Sequence, residues 1–216
     1  MSDAFYRTLL ALGRPAFFVS GSAHVVNAEA TDRPGAYILA ANHTSEYDIP
    51  FLMLHCRRRI DFVSITEVFK HRFAAWLYGN MNAFPLERSR PDSPAVRTIL
   101  DRLRRGRVIG MFPEGGFRVG EASVVHSRKI RSGIGRIALL AKVPIVPCVI
   151  VGSERYRRVA AWLPIRRTKY AVAFGKPIEA SGTAEEIETR LVEALVALHG
   201  ELRHVDASRQ SIDAAT

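Results

Sequence analysis

The chain has 216 residues, 48% of them hydrophobic and 24% charged, with 31 lysines and arginines against 21 aspartates and glutamates for a formal charge of +10. That length suits a single substantial core, and that composition excludes a disordered or fibrous chain. No stretch approaches the ~18 uninterrupted apolar residues of a membrane-crossing helix, and the positive excess points to an anionic partner: nucleic acid, a phospholipid surface or a phosphorylated substrate.

The N-terminal stretch MSDAFYRTLLALGRPAFFVS carries Asp3 early and breaks its apolar run at Arg14 and Pro15. It is a poor signal peptide and reads as an amphipathic segment over 1–20, with a helix at 4–12. Apolar runs and amphipathic stretches then alternate. Strands are predicted near 24–27, 36–41 and 60–65, with helices over 48–57 and 67–79 between and after them. A further strand is predicted near 81–86, followed by a helix over 93–105, a strand at 107–112, a helix over 132–142 and strands at 145–151 and 169–174. The helix SPAVRTILDRLRRG is the clearest of these. Ser93 caps it, Pro94 sits in its first turn, Val96, Ile99, Leu100 and Leu103 share a face, and Gly106 ends it. A last helix is predicted over 184–199, before a polar tail at 204–216 expected to fray. The β/α order, without repeat or linker, predicts a single layered α/β domain over 21–203. Its mostly parallel or mixed sheet is flanked by helices, and its active site lies at the strand C-terminal ends. Cys56 and Cys148 stand far apart and form no metal pattern, and Cys148 lies in the apolar run VPIVPCVIV, which favours a reducing compartment.

Two strands end abruptly in polar residues. After AYILAA come Asn42, His43 and, five residues past the histidine, Asp48. On a single helix that spacing would separate the two side chains by about 140°. Pro50 requires the helix to begin only near 45–48, so His43 lies in the turn before it. Helical side chains lean toward the N-terminus, so the Asp48 carboxylate can reach back to His43. SEYD is also a Ser-x-x-Asp cap, in which Asp48 simply answers backbone amides. The two readings are compatible. The second strand, RVIGM, runs into Phe112, Pro113, Glu114, Gly115 and Gly116, a turn whose glycines let the backbone approach a ligand, with Arg118 close by. Two such strand ends imply one shared cleft.

Four blocks, in order, resemble the glycerolipid acyltransferases related to bacterial lysophosphatidate acyltransferase: NHTSEYD (42–48), AFPLER (83–88), FPEG (112–115) and VPIVP (143–147). The match spans roughly residues 36–176. The resemblance implies His43 as general base with Asp48 orienting it. It implies Arg88, Phe112, Pro113, Glu114 and Gly115 at the acceptor, and Pro147 of a VPIVP turn on the acyl side. It implies an acyl thioester donor, acyl-CoA or acyl-carrier protein, with no cofactor or metal. The acceptor would be a lysophospholipid, most simply 1-acyl-glycerol-3-phosphate. The chain departs from the family pattern at Glu87, where aspartate is usual, at Gly116, where threonine or serine is usual, and at Arg118, one position late. These departures touch acceptor blocks, so lyso-ornithine lipid, another lysolipid or glycerol 3-phosphate stay open as acceptors.

The chemistry suits the residues. An alcohol attacking a thioester must lose its proton as the bond forms, and a neutral imidazole backed by a carboxylate takes it. With the acceptor hydroxyl attacking directly, no serine or cysteine nucleophile is required, and Ser45 serves the cap. A non-catalytic basic protein binding membrane or nucleic acid is the other class. The arginine clusters, at 57–59, 102–107, 128–131, 155–158 and 166–169, lack a pattern of interleaved aromatics and no helix-turn-helix or zinc pattern is present, which argues against nucleic acid. A lipid acceptor without a spanning helix predicts a cytoplasmic protein, peripheral on the anionic cytoplasmic face of a membrane, held by the arginine clusters and by Phe5, Leu9, Leu10, Leu12, Phe17 and Phe18. Packing of that N-terminal stretch on the domain's own core is the competing expectation.

Overall fold

A computed structural model of the chain describes residues 3–65, 84–86, 94–164 and 167–213. The helix expected over 67–79, positions 81–83 of the strand expected at 81–86, and Arg88 lie outside these residues. Helix α1 (Asp3–Ser20) leads into β1 (Gly21–Val26), β2 (Tyr37–Ala41), α2 (Asp48–His55), β3 (Ile60–Ile65) and β4 (Phe84–Leu86). There follow α3 (Pro94–Arg104), β5 (Val108–Met111), a short α4 (Val124–Ser127), α5 (Ile134–Ala141), β6 (Ile145–Val151), β7 (Thr168–Phe174) and α6 (Ala184–Asp213).

The seven strands form one sheet in the order β1-β7-β6-β2-β5-β3-β4. Strands β6, β2, β5, β3 and β4 run parallel, while β7 is antiparallel to β6 and carries β1 parallel to itself. The sheet is therefore mixed. Its strands alternate between two cores, which explains their nearly continuous apolar character. Tyr37, Leu39 and Ala41 of β2 join Phe51, Leu52 and Met53 of α2 on one face, and Ile38 and Ala40 join Ile99, Leu103, Leu191 and Leu195 on the other.

Element ends follow local chemistry. Helix α3 begins at Pro94 and closes in a Schellman motif, in which Gly106 N–H donates to Leu103 O and Arg107 N–H to Arg102 O, with Gly106 at φ +75°. Helix α6 opens on a reciprocal capping box. Glu186 N–H donates to Thr183 Oγ1 at 3.2 Å and Thr183 N–H to Glu186 Oε2 at 2.9 Å. It runs to Asp213, past the expected end at 199 and through most of the stretch read as a frayed polar tail.

Two further expectations change. Helix α1 continues through Pro15 to Ser20, where 4–12 was expected, and it packs on the domain itself: Tyr6 is buried, and Phe5, Leu9, Leu10 and Phe17 rest on the same core. Four arginines of the clusters also tie the fold together. Arg102 and Arg107 both pair with the buried Asp61, at 3.2 Å for Arg102 Nη1 and 3.1 Å for Arg107 Nε. Arg58 donates to the Arg33, Gly35 and Gly106 carbonyls, and Arg167 to the Phe18 and Gly21 carbonyls, tying the end of α1 to the start of β7.

Candidate active site

Three adjacent strands, β6, β2 and β5, deliver the site at their common C-terminal edge. Asn42 continues the β2–β6 ladder through its side chain, its Nδ2–H donating to Ile150 O at 2.9 Å while Oδ1 accepts from Ile150 N–H at 2.8 Å. A polar residue is thus satisfied where the apolar strand stops. The following residue, His43, leaves the sheet edge with its Nδ1 2.9 Å from Asp48 Oδ2. A carboxylate only accepts, so Nδ1 carries the hydrogen and Nε2 is the nitrogen able to take a proton.

Asp48 is fully buried and makes the contacts of both readings that its spacing allowed, one to His43 and others to backbone amides. Its Oδ2 also accepts from the Thr44 N–H at 2.7 Å and the Ser45 N–H at 2.9 Å, while Ser45 Oγ accepts from Tyr47 N–H at 3.2 Å. Ser45 and Asp48 thus satisfy the amides of the turn just ahead of α2. Ser153, from the Gly-Ser turn after β6, donates to Asp48 Oδ1 and lies 2.9 Å from Ser45 Oγ and 3.0 Å from Thr44 Oγ1. The carboxylate is held on both oxygens.

The loop after β5 clasps the histidine. Glu114 is buried; its Oε2 accepts from the His43 backbone N–H at 2.5 Å, and its Oε1 accepts from Val124 N–H at 2.6 Å and Ser123 Oγ at 3.0 Å. Burial pushes its carboxyl pKa up, and these donors oppose that shift. Arg118 N–H donates to His43 O at 2.7 Å, so one loop takes both backbone groups of His43. Phe112 stacks on the imidazole with centroids 3.8 Å apart, and Phe117 leans on it at 4.4 Å. The His43 side chain retains 12% exposure. Phe117 in turn carries the Arg157 guanidinium 5.5 Å above its ring, and Arg157 pairs with Glu46 at 2.8 Å.

The structure thus brings together His43, Asp48, Phe112, Pro113, Glu114 and Gly115. Glu114, expected at the acceptor, has both side-chain oxygens engaged in holding His43 and the 123–124 turn. Pro147 lies within the strand expected at 145–151 and not in the VPIVP turn that the resemblance implied. It is a buried residue within β6, paired with Ala40, its carbonyl accepting from Gly175 N–H at 2.8 Å, and not part of a turn. Ser153, Ser123 and Phe117 went unread in the sequence. Ser153 had a signal, since VIVGSER is a third apolar strand ending in a polar turn. Among the described residues no group of three or more His, Cys, Asp or Glu side chains could hold a metal ion.

The Acyltransferase family model matches residues 22–151. A 1-acyl-sn-glycerol-3-phosphate acyltransferase of Streptococcus pneumoniae is 27% identical over 166 residues, 76% of this chain and 58% of the relative. One of Bacillus subtilis is 23% identical, covering 73% of this chain and 74% of its own. A lyso-ornithine lipid O-acyltransferase of Pseudomonas aeruginosa is 33% identical over 62% of this chain and 47% of its own. The chain thus spans roughly half to three quarters of these relatives' lengths. The solved structure of the 1-acyl-sn-glycerophosphate acyltransferase PlsC from Thermotoga maritima has the same fold, with a TM-score of 0.71 and 22% identity over 92% of this chain and 79% of that one. With its family match covering more than half of its length and reaching from β1 to the end of β6, the chain belongs to the Acyltransferase family.

Proposed function

We propose that the protein moves a fatty acyl group from acyl-CoA or acyl-carrier protein to the free hydroxyl of 1-acyl-glycerol-3-phosphate, giving phosphatidate. The observation that carries this reading is His43, its Nδ1 fixed by a buried carboxylate, at an edge that also presents the FPEGG turn. The acceptor hydroxyl gives its proton to His43 Nε2 as its oxygen attacks the thioester carbonyl. Asp48 stabilises the imidazolium, and collapse of the intermediate breaks the C–S bond and returns the proton to the departing thiolate. The transfer is direct. Ser45 is buried and engaged with Tyr47 N–H and Ser153, and burial pushes the Cys148 thiol pKa far up, so neither is placed as a nucleophile. Arg88, outside the described residues, is assigned to the acceptor by its block alone.

The Pseudomonas relative favours a second acceptor, a lyso-ornithine lipid, with the same chemistry. Thiol release from acyl-CoA with a panel of lysophosphatidate, lyso-ornithine lipid, other lysolipids and glycerol 3-phosphate decides between them. Highest kcat/KM for lysophosphatidate supports the first reading, preference for lyso-ornithine lipid the second, and no release with any acceptor sinks both.

We place the enzyme on an anionic, cytoplasmic membrane face. Among the described residues no helix is long and apolar enough to cross a bilayer. Of the eight large apolar side chains exposed among them, six lie in segments at the active-site edge: Phe18 and Val19 before β1, Phe117 and Val119 after β5, and Val159 and Leu163 between β6 and β7. Arg118, Arg158 and Arg167 stand in the same segments, and each cation near an anionic surface is worth ~1 kcal/mol.

A further inference from the structure

We propose that Arg131 holds the anionic headgroup of the acceptor, a phosphate monoester, beside His43. This deepens the function proposed above and rests on it. The lysophosphatidate hydroxyl and phosphate sit on adjacent carbons, so the phosphate-binding cation must lie within a side-chain length of the base. The loop that clasps His43 meets this requirement through Gly115. That residue has φ +73°, and its N–H closes the turn onto Phe112 O at 2.9 Å. A Cβ added there would collide with Cδ and Nε of Arg131. The glycine therefore does more than permit a left-handed turn: it leaves a seat along which the arginine stem lies, against the residue next to Glu114. Arg131 is also tied to this turn by its backbone, its N–H donating to Pro113 O at 2.8 Å.

Among the described residues, the other cations near His43 are less suited. Arg157 is neutralised by Glu46, and Arg118 spends its backbone N–H on His43 O with no described contact fixing its side chain. Phe117 occupies the position before Arg118 and packs on the imidazole, so that position supplies an aromatic wall in place of a charge. Arg131 is exposed, and among the described residues its guanidinium has no carboxylate or carbonyl partner. A planar fork held at its stem and open at its head suits a phosphate monoester.

The test is the kinetics of Arg131→Ala and Arg131→Lys with short-chain, monomeric lysophosphatidate and with monoacylglycerol, a phosphate-free acceptor, alongside calorimetric binding of lysophosphatidate. Arg131→Ala should raise the lysophosphatidate KM and Kd tenfold or more, change kcat and the acyl-CoA KM less than about threefold, and leave monoacylglycerol kinetics unaltered. Arg131→Lys should recover part of the loss. Gly115→Ala should weaken lysophosphatidate binding less in the Arg131→Ala background than in the wild type, because its Cβ then has no stem to displace. Unchanged lysophosphatidate KM and Kd in Arg131→Ala, or equal losses on monoacylglycerol, would overturn the assignment. Should the wild type bind lysophosphatidate without acylating it, the proposed reaction fails on its own, and loss of that binding in Arg131→Ala still upholds the site.

Discussion

At Asp48 one carboxylate answers the amides ahead of α2 and holds the proposed base, and different substitutions separate the two roles. In Asp48→Asn the amide oxygen can still accept from Thr44 N–H, Ser45 N–H and His43 Nδ1, with the NH2 turned to Ser153 Oγ. Its stability loss should be near ~1 kcal/mol. Without the charge that stabilises the imidazolium, kcat should fall at least ~10²-fold. Asp48→Ala leaves those buried donors unanswered and should cost about 2–4 kcal/mol as well as turnover, read by thermal and chemical denaturation. An Asn variant as unstable as the Ala variant would mean that the cap needs the charge itself. Glu114→Gln is a sharper case. Its three donors leave no place for an NH2 group, so either His43 N–H or the Val124–Ser123 pair must face a donor. A loss of about 1–3 kcal/mol is expected, together with reduced kcat and an acyl-CoA KM that stays put. If turnover is unaffected, the clasp does not position His43.

Among the elements, those with strong local signals were legible. The apolar runs at 36–41, 60–65 and 145–151 are strands because both faces of the sheet are covered, and the Pro94 start and Gly106 stop of α3 bound it closely. The elements that tertiary contacts create were not legible. Helix α1 continues through Pro15 because Phe17 beyond it packs edge-on against Phe51, 5.4 Å between centroids, and at a tilt against Trp162, 5.1 Å. The resemblance implies a VPIVP turn over 143–147, yet Pro147 lies in β6, within the legible run at 145–151, where its ring packs toward Gly175 and Leu198. At the site, His-x4-Asp and FPEGG stood out because their residues are close in sequence. Ser153 meets Asp48 across a separation of 105 residues, and no local pattern records that. Whether α1 belongs to the core can be tested. Tyr6→Ala should destabilise by about 3–5 kcal/mol, as large aromatic truncations in cores do, lowering the melting temperature by roughly 6–20 °C. A shift under about 2 °C would release α1 from the core and return it to the role of a separate membrane anchor.

For the whole molecule, the sheet's topology sets the edge that the proposed membrane docking would use. Because β1 and β7 run against the other strands, the end of α1 and the 159–163 segment reach the same edge as His43, and their apolar side chains face out there, Val159 at 83% and Phe18 at 76% exposure. Anionic vesicles should recruit the protein at low salt and lose it as salt rises. Val159→Asp combined with Phe18→Asp should cut recruitment severalfold while turnover of a monomeric short-chain acceptor is retained. Recruitment undiminished in that variant would move the docking surface elsewhere.

The central claim is that His43 is the base of a direct acyl transfer. It is tested most directly by rapid-quench measurement of acyl transfer from labelled acyl-CoA to lysophosphatidate, comparing the wild type with a folded His43→Ala variant. Transfer in the variant should be slower by at least ~10²–10⁴-fold, with near-normal affinity for both substrates and no label on the wild-type protein when the acceptor is withheld. Near-normal transfer in the variant, or an acyl group retained on the wild-type protein, would contradict it.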